Sequence, residues 1–499
     1  MNKLKNYHHE KNTNLAYLVI IFSIYLFVIY RILQNLRYQY LWFDEGVQFW
    51  ISKGLSPLGG PLLPAGSIAD VIEKNKYYNL DPGGFGIILH FWSMISDHVI
   101  WLRLLPCIFF SGVVLSFIYL SKLKLNNSKV ALVMGFVPIL APTILDMGFE
   151  IRAYSMETLG AVLCIVAAEK IKNKISSKNL FIWSCIIAVF LTSRYSLIIV
   201  AFVTSLYIFY LISRSKNTLQ KKFALSLFYS LPLAIALLYI YFFVLKFQNP
   251  NIEPLPYLQY LSKDPFILFR GHNVIYLSGL VICLFLLFVQ QKFKNIGTYQ
   301  PLLFITVFTN VLFIVLSLLG KHPWDPSSNR CISMEILMLV SLSAFLGEFI
   351  NYQFIFKWVG NLYLLSFAVS CIIFIFKNNL NTRYGHTIAI DFKKINIGDY
   401  KKIYVDVWET PYIRYLFEYG KLKSEIGKSY PGQFTLEINK QPFNTSGKKK
   451  MTDDWKSSLP HMNNLTQYDL LITPLLNRQG DNDKWILMDN TSDFWLKRN

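Results

Sequence analysis

Two adjacent carboxylates, Asp44 and Glu45, follow a short aromatic run just after the first strongly apolar segment of the chain. A carboxylate that aromatic side chains partly shield from water can take a proton from a hydroxyl group and act as a general base. The alternative is structural, because Asp44 can also cap the short helix that follows. One carboxylate can cap while the other reacts. We expect Asp44 to be the base and Glu45, on the polar face of that helix, to support it.

A third carboxylate, Asp81, precedes Pro82 and Gly83 at the start of a second amphipathic segment. Proline suits the first turn of a helix, so Asp81 is in a position to cap the helix that begins there. The alternative is that Asp81 faces a substrate.

A further group opens a later apolar segment with Glu150, Arg152 and Tyr154, and Glu157 follows about two turns in. Glu150, Tyr154 and Glu157 fall on one face of the predicted helix. A charge inside hydrocarbon costs about 2.5–3.5 kcal/mol on insertion scales, so such residues mark either a site or an ion pair between helices. Arg152 can also extend its charged end to the interface.

Cations occur at the same predicted side of the membrane. Arg194 and Tyr195 separate two apolar runs, and Lys321, His322 and Arg330 lie in a later loop. Arginine grips a phosphate with two parallel hydrogen bonds. A solvated loop also accounts for Lys321 and His322. Attack of a hydroxyl group on a phosphate-linked sugar needs a base for the hydroxyl and cations for the departing phosphate, and this set offers both.

The candidate residues lie in or beside long apolar segments, which must position them. The chain has 499 residues, of which 53% are hydrophobic, and its mean hydropathy is +0.36. A segment of about 18 apolar residues can cross a bilayer. We therefore predict an all-α polytopic membrane domain. About eleven spans are predicted, at roughly 15–33, 99–120, 129–147, 152–170, 180–193, 195–212, 223–246, 273–290, 301–319, 331–349 and 357–376.

The net charge of +19 comes largely from Lys and Arg in alternate short loops and in the N-terminal tail. The positive-inside rule makes those loops cytoplasmic, so the charge does not indicate a nucleic-acid partner. The loop 34–98 and its carboxylates are then extracytoplasmic, and an odd number of spans puts the C-terminus outside as well. These features predict a multi-pass protein of a bacterial-type inner or plasma membrane.

Two amphipathic helices are predicted within the loop 34–98, one starting near Asp44 and one running from about Gly84 to Ser96. In the second helix one stripe is apolar and the other polar. The apolar stripe comprises Ile87, Ile88, Phe91, Trp92 and Ile95, and the polar stripe comprises His90, Ser93 and Asp97. Both helices are expected to lie on the membrane surface, where a lipid-linked substrate would approach.

The predicted membrane domain covers residues 1–377, and strand-like segments follow it. Residues 378–499 are expected to form a small extracytoplasmic α/β domain in which no residue stands out as functional. The six cysteines lie in or beside apolar runs and predict neither a disulfide nor a metal site. No motif in the sequence identifies a cofactor. Asp44, Glu45, Asp81 and Glu150 are the residues that could together hold a divalent cation.

The chain resembles the GT-C superfamily of glycosyltransferases over about residues 10–350. The resemblance is carried by Trp42-Phe43-Asp44-Glu45, by Glu150-Ile151-Arg152-Ala153-Tyr154-Ser155, and by Arg103-Leu104-Leu105-Pro106. The most similar branch comprises the protein mannosyltransferases and the aminoarabinose- and galacturonosyl-transferases. The resemblance implies an inverting transfer from a polyprenyl-phosphate sugar to a hydroxyl of a glycan, lipid or protein, outside the cytoplasm. Asp44 would match the family's catalytic acid, and Arg330 its phosphate-binding cation.

The sequence departs from this family in two places. Where many members have His-Pro-Pro or Lys-Pro, this chain has Asp81-Pro82-Gly83, so a carboxylate replaces a cation. Where many have a Thr-His-Tyr turn, it has Ser193-Arg194-Tyr195. Arg194 is therefore a candidate for the missing positive charge, and Glu150 and Arg152 are expected to support the pocket.

Three other functions fit parts of the pattern. A flippase or exporter of lipid-linked glycan would need charges along a path through the midplane, whereas here they cluster towards one side. An oligosaccharide polymerase would also keep its essential groups in outer loops and would join many repeats. A receptor with a membrane anchor would not need about eleven spans.

Overall fold

The computed structural model describes the helical parts of the chain most fully. It covers residues 41–57, 65–79, 81–124, 147–247, 300–319, 321–322, 331–352, 402–405, 410–418, 435–438, 470–472, 485–487 and 494–497, with short pieces between 22 and 34 and the single residues 135, 144, 281 and 369. Within this part the chain is mostly helical.

Eleven helices of some length are present in the described part. They are α1 (Phe43–Ser52), α2 (Ile68–Tyr78), α3 (Gly84–Ser93), α4 (Val99–Lys124), α5 (Tyr154–Asn173), α6 (Ser177–Leu191), α7 (Ser196–Arg214), α8 (Leu219–Ile240), α9 (Gln300–Leu318), α10 (Ile332–Tyr352) and α11 (Thr410–Glu418). A π-helical turn, Tyr241–Leu245, continues α8.

Four helical segments in the described part are long and apolar enough to cross a membrane. They are Val99–Leu123, Ser196–Arg214, Leu219–Leu245 and Gln300–Leu318. This supports an integral membrane protein. The helices α4 to α10 also coincide with seven of the predicted spans. The spans predicted at 129–147, 273–290 and 357–376, and most of the span at 15–33, lie outside the described residues, so their number and orientation stay predictions.

The chain divides into two compact units. The first comprises Met1–Arg37, Pro106–Ile240 and Ile252–Asn379, and the second comprises Tyr38–Leu105, Tyr241–Asn251 and Leu380–Asn499. Each is described by itself. The predicted boundary between residues 377 and 378 stays a prediction.

The first unit is a helix bundle in which α5 packs against α6, α7, α9 and α10. Small residues allow the close approach that membrane helices need. A Cβ atom at Gly160 would lie 2.5 Å from Leu197 Cδ2 and 2.9 Å from Phe190 Cβ, so only glycine fits there. Cys107, Cys164, Cys185 and Cys331 are free thiols.

The second unit is centred on α1, which packs against α2, α3 and α11. Every residue of α1 from Glu45 to Ser52 is buried. The amphipathic pattern of this helix therefore faces protein on several sides, and Glu45 and Gln48 of its polar face are buried.

Both predicted helix caps were wrong. The N-cap of α1 is Trp42, whose backbone is extended, and Asp44 lies within the first turn. The N-cap of α3 is Gly83, with a φ of +92° that favours glycine, so Asp81 precedes the cap. Short polar side chains suit a cap, but the position where the backbone turns into the helix decides which residue is one.

The helix α2 was missed by the sequence analysis because its apolar residues are few. Its start is nevertheless marked by Ser67 and Asp70, which exchange hydrogen bonds as a capping box. The hydrogen bonds from Ser67 lower the pKa of the Asp70 carboxyl group.

The helix α3 keeps its polar stripe inside and its apolar stripe outside. His90 and Ser93 are 3% and 2% exposed, whereas Phe91 is 52% exposed. Just after the helix, Met94 and Ile95 are 64% and 69% exposed. This inverted arrangement fits a helix whose outer face meets lipid, because apolar patches of this kind mark protein or membrane contacts.

Five short strands form one sheet in the C-terminal part. They are β1 (Lys402–Val405), β2 (Thr435–Ile438), β3 (Leu470–Ile472), β4 (Trp485–Leu487) and β5 (Phe494–Lys497), in the order β2-β1-β3-β5-β4. β1 is parallel to β2 and β3, and β5 is antiparallel to β3 and β4. These strands lie in the region after residue 377, where the sequence predicts strand-like segments. A separate α/β domain outside the membrane stays a prediction.

The helix α11 is fixed to α1 although more than three hundred residues separate them. Trp50 Nε1 donates a hydrogen bond to Pro411 O at 2.9 Å, and the Arg414 guanidinium lies 4.1 Å from the Trp50 ring centroid. Tyr415 donates to the backbone oxygen of Asp97 at 2.8 Å. Burial raises the pKa of Tyr415, so its hydroxyl stays protonated at neutral pH.

We predict that Gly46→Ala loosens α11 from α1. The new Cβ would lie 2.8 Å from Pro411 Cβ, and overpacking of this kind costs typically about 1–3 kcal/mol. The midpoint of thermal unfolding in detergent should fall, and amide hydrogen exchange should rise in residues 410–418. Pro411→Gly removes the opposing atom, so the double variant should lose less than the two single losses combined. If the losses of stability in the two single variants simply add in the double variant, the contact between residues 46 and 411 is not their cause.

Candidate functional site

A buried ion pair fixes the first turn of α1. Arg103 Nη2 donates to Glu45 Oε2 at 2.9 Å, and both side chains are 0% exposed. The same carboxylate oxygen accepts from the backbone N–H of Trp42 at 3.3 Å. Glu45 is the third residue of α1, whereas Arg103 lies near the start of the membrane-capable helix α4. Each of these two buried charges of opposite sign lowers the cost of burying the other.

Asp44 differs from its neighbour because its side chain is partly exposed. It lies in the first turn of α1, where the free N–H groups of the helix favour a negative charge. Of the two adjacent carboxylates, Glu45 is therefore paired with Arg103 inside the protein, and Asp44 keeps part of its side chain at the surface.

A chain of side-chain amides lies beside these carboxylates. Asn75 Nδ2 donates to the backbone oxygen of Asp81 at 2.8 Å, and the backbone N–H of Asp81 donates to Asn79 Oδ1 at 3.3 Å. Asn79 Nδ2 in turn donates to Asn75 Oδ1 at 3.2 Å and to Gln48 Oε1 at 3.1 Å. These bonds hold Asp81, which is 7% exposed, in the turn between α2 and α3.

Lys53 and His90 join the end of α1 to α3. Lys53 Nζ donates to Ser93 O at 3.1 Å and pairs with Asp97, while His90 Nδ1 donates to Ser52 O at 2.7 Å. A carbonyl oxygen can only accept, so the proton of the His90 ring is assigned to Nδ1. The cation at the C-terminal end of α1 also compensates the helix dipole.

In the first unit, the carboxylate of Glu157 gathers three donors. Ser196 and Ser333 donate to Glu157 Oε1, and Arg194 Nη1 donates to Glu157 Oε2 at 3.2 Å. These residues belong to α5, α7, α10 and the turn before α7. The structure thus favours the interhelical ion pair that we considered for Glu157.

Two arginines approach one aromatic ring. The guanidinium carbons of Arg194 and Arg152 lie 4.8 Å and 5.8 Å from the Tyr154 ring centroid. Arg194 is 13% exposed and bound to Glu157, so it is held in place and not freely solvated. Glu150 is 1% exposed and lies in a bend before α5, outside the helix to which we assigned it.

Three further predicted residues of the first unit lie at the start of α7 or just after α9. The backbone N–H groups of Lys321 and His322 donate to Leu316 O at 2.8 and 3.3 Å and so end the turn after α9. The His322 ring packs edge-on against Phe313 at 4.9 Å. Tyr195 is the N-cap of α7, and Arg330 lies outside the described residues.

The predicted site residues therefore belong to two units. Asp44, Glu45 and Asp81 lie in the second unit, and Glu150, Arg152, Tyr154, Arg194, Tyr195, Lys321 and His322 lie in the first. Among the described residues, no three side chains of His, Cys, Asp or Glu are grouped to hold a metal ion. The four carboxylates considered for a divalent cation do not form such a group.

Sequence reasoning missed Arg103 as the partner of Glu45, and it also missed Gln48, Lys53 and Arg414. A signal existed for Arg103, since an arginine among apolar residues of a membrane-capable helix requires a partner. No known protein family matches the chain, and no curated protein matches it. The functional argument therefore depends on the chemistry of these residues.

We predict that replacing one residue of the ion pair destabilises the protein more than replacing both. Arg103→Met or Glu45→Met leaves one charge buried and should cost about 3–5 kcal/mol. The double variant, Glu45→Met with Arg103→Met, should recover most of this loss, because buried apolar side chains often replace an ion pair at no cost. Thermal unfolding in detergent measures all four proteins. Equal losses in single and double variants would contradict a coupled pair.

A second prediction concerns Arg194. If its task is to neutralise Glu157, Arg194→Met should lower the stability by about 3–5 kcal/mol. Ser333→Ala, which removes one uncharged donor, should cost about 1–3 kcal/mol. Thermal unfolding of the purified variants measures both changes. An unchanged midpoint for Arg194→Met would show that the guanidinium does not stabilise the bundle.

Proposed function

We propose that this protein is a membrane glycosyltransferase. It moves a sugar from a polyprenyl-phosphate donor to a hydroxyl group of a glycan, lipid or protein, on the extracytoplasmic face of the membrane. The observation that carries the proposal is the contrast between adjacent carboxylates: Glu45 is buried against Arg103, and Asp44 is partly exposed.

In this reaction the acceptor oxygen attacks the anomeric carbon of the sugar. Asp44 takes the proton of the attacking hydroxyl group, as a general base within hydrogen-bonding reach does. The bond between the anomeric carbon and the phosphate oxygen breaks, and its electron pair leaves with the polyprenyl phosphate. Attack opposite the leaving group inverts the configuration at that carbon.

The ion pair between Glu45 and Arg103 helps to position Asp44. Because Arg103 fixes Glu45, the first turn of α1 cannot rotate, and Asp44 keeps one orientation. Arg194 and Arg330 are the phosphate contacts expected from the sequence. Arg194 already binds Glu157 within its own unit, and Arg330 lies outside the described residues.

Two features of the second unit support a lipid-linked substrate. The exposed residues Phe91, Met94 and Ile95 present an apolar surface at α3. Trp92 and Trp101 stack with their ring centroids 4.4 Å apart, each indole N–H donating to the other's backbone oxygen. Trp101 lies in the first turn of a membrane-capable helix, where tryptophan suits the boundary between lipid and water.

We predict that Asp44→Asn lowers transfer by at least about a hundredfold, the scale of general-base catalysis, without loss of folding. The assay would mix the purified protein in nanodiscs with polyprenyl-linked sugars extracted from the source membranes and would follow donor consumption by mass spectrometry. Glu73→Gln, which neutralises an exposed carboxylate of α2, is the matched control and should transfer normally.

Normal transfer by Asp44→Asn would overturn the role of Asp44. The absence of any donor consumption by the wild-type protein, alongside relocation of intact lipid-linked sugar across a vesicle membrane, would favour a flippase instead, because a flippase makes no new bond.

A further inference from the structure

The orientation of the amide chain beside Asp44 follows from its two backbone contacts. A backbone N–H only donates, so the atom of Asn79 that faces the Asp81 N–H is its oxygen. A backbone carbonyl only accepts, so the atom of Asn75 that faces the Asp81 carbonyl is its nitrogen. Asn79 must then present its nitrogen to Gln48, and Gln48 must accept with its oxygen.

With the amides oriented in this way, one hydrogen-bond donor, the Nε2 atom of Gln48, is not used. Gln48 is 1% exposed, and its Nε2 atom has no hydrogen-bond partner among the described residues. Leaving a buried donor unsatisfied costs about 1–3 kcal/mol. An amide held by its oxygen, with its nitrogen unused, is a group prepared to donate to something that is not part of the described chain.

The unused donor lies on the same helix face as Asp44. The two residues are four positions apart in α1, and side chains on a helix lean towards its N-terminus, so Gln48 leans towards Asp44. Asp44 is partly exposed and Gln48 is buried, so this face runs from the surface into the protein. Gly86 lies next to the donor, because a Cβ atom there would be 3.2 Å from Gln48 Nε2.

The chemistry of this face selects a neutral polyol. A sugar hydroxyl can donate to Asp44 while a neighbouring oxygen accepts from Gln48. A phosphate would meet the carboxylates of Asp44 and Asp81, and a cation would find a donor where it needs an acceptor. Arg103, a cation of the same unit, is already paired with Glu45.

The geometry points to Gln48 as a sugar-binding residue of the same site, with Asn79 as the residue that orients it. Its Nε2 donates to an oxygen of a sugar whose adjacent hydroxyl faces Asp44. This inference rests on the proposed glycosyltransferase function, and it names the sugar, rather than the carrier phosphate, as the part of the substrate that α1 contacts.

Two variants distinguish sugar binding by Gln48 from a purely structural role of this residue in the protein interior. Gln48→Glu keeps the oxygen that accepts from Asn79 and replaces the free donor with an acceptor. Gly86→Ala leaves Gln48 unchanged and crowds its donor. The matched control is Gln220→Glu, the same chemical change on an exposed residue of α8.

The test is binding, measured without transfer. Saturation-transfer difference NMR would use the full chain in nanodiscs free of glycoside detergents, with methyl glycosides of glucose, galactose, mannose and arabinose as probes. We expect at least one probe to bind the wild-type protein and Gln220→Glu equally. Gln48→Glu should bind it about tenfold more weakly, the scale of one buried hydrogen bond, and Gly86→Ala should also bind it more weakly.

Equal binding by the wild-type protein and both variants would overturn the inference, and so would the absence of binding by any probe. If Gln48→Glu fails to fold, Gly86→Ala alone decides. Displacement of the probe by polyprenyl-linked sugar assigns the site to the donor sugar, and lack of displacement assigns it to the acceptor. Should Asp44→Asn still transfer while the Gln48 variant loses the sugar, the base would be wrong and the sugar site would stand.

Discussion

The buried pair of Glu45 and Arg103 is the contact on which the second unit depends. Both side chains are 0% exposed, so each charge compensates part of the cost of burying the other. The pair joins a loop helix to the start of a membrane-capable helix and so fixes the rotation of α1. One face of α1 then carries Asp44 and Gln48, and the opposite contacts are made by α11. The ion pair with Arg103 is thus one of the contacts that set which of the two adjacent carboxylates is buried and which is partly exposed.

Polar groups in this unit face inwards more than the sequence suggests. The amides of Asn75, Asn79 and Gln48 hydrogen-bond to one another and to the backbone of the turn before α3. Lys53 and His90 donate hydrogen bonds to backbone carbonyl oxygens that link the end of α1 to α3. Apolar side chains of α3 are left outside, where a bilayer would cover them. In the proposed function this inversion turns the apolar face towards lipid, while the charged and amide groups of the loop bind one another.

The sequence was sufficient for features that depend on local pattern. The helical segments α4 to α10 and the two stripes of α3 follow from spacing and hydropathy. It was insufficient where a partner lies far along the chain. Arg103 is 58 residues from Glu45, and Pro411 is 361 residues from Trp50, so neither contact has a local signature. The caps at Asp44 and Asp81 were wrong because residue type allows a cap but backbone geometry selects it. The C-terminal region gave no candidate residue, since Arg414 and Tyr415 become meaningful only when packed against α1.

The central claim is that this chain makes a glycosidic bond from a lipid-linked sugar, with Asp44 as the base. The most direct measurement is mass spectrometry of lipid-linked and surface glycans in cells with the wild-type gene, without it, and with the Asp44→Asn variant expressed at the same level. The account predicts that a polyprenyl-phosphate sugar accumulates and a glycan loses one residue in both the deletion and the variant. Identical glycans in all three strains, or a deletion phenotype that Asp44→Asn fully restores, would contradict it.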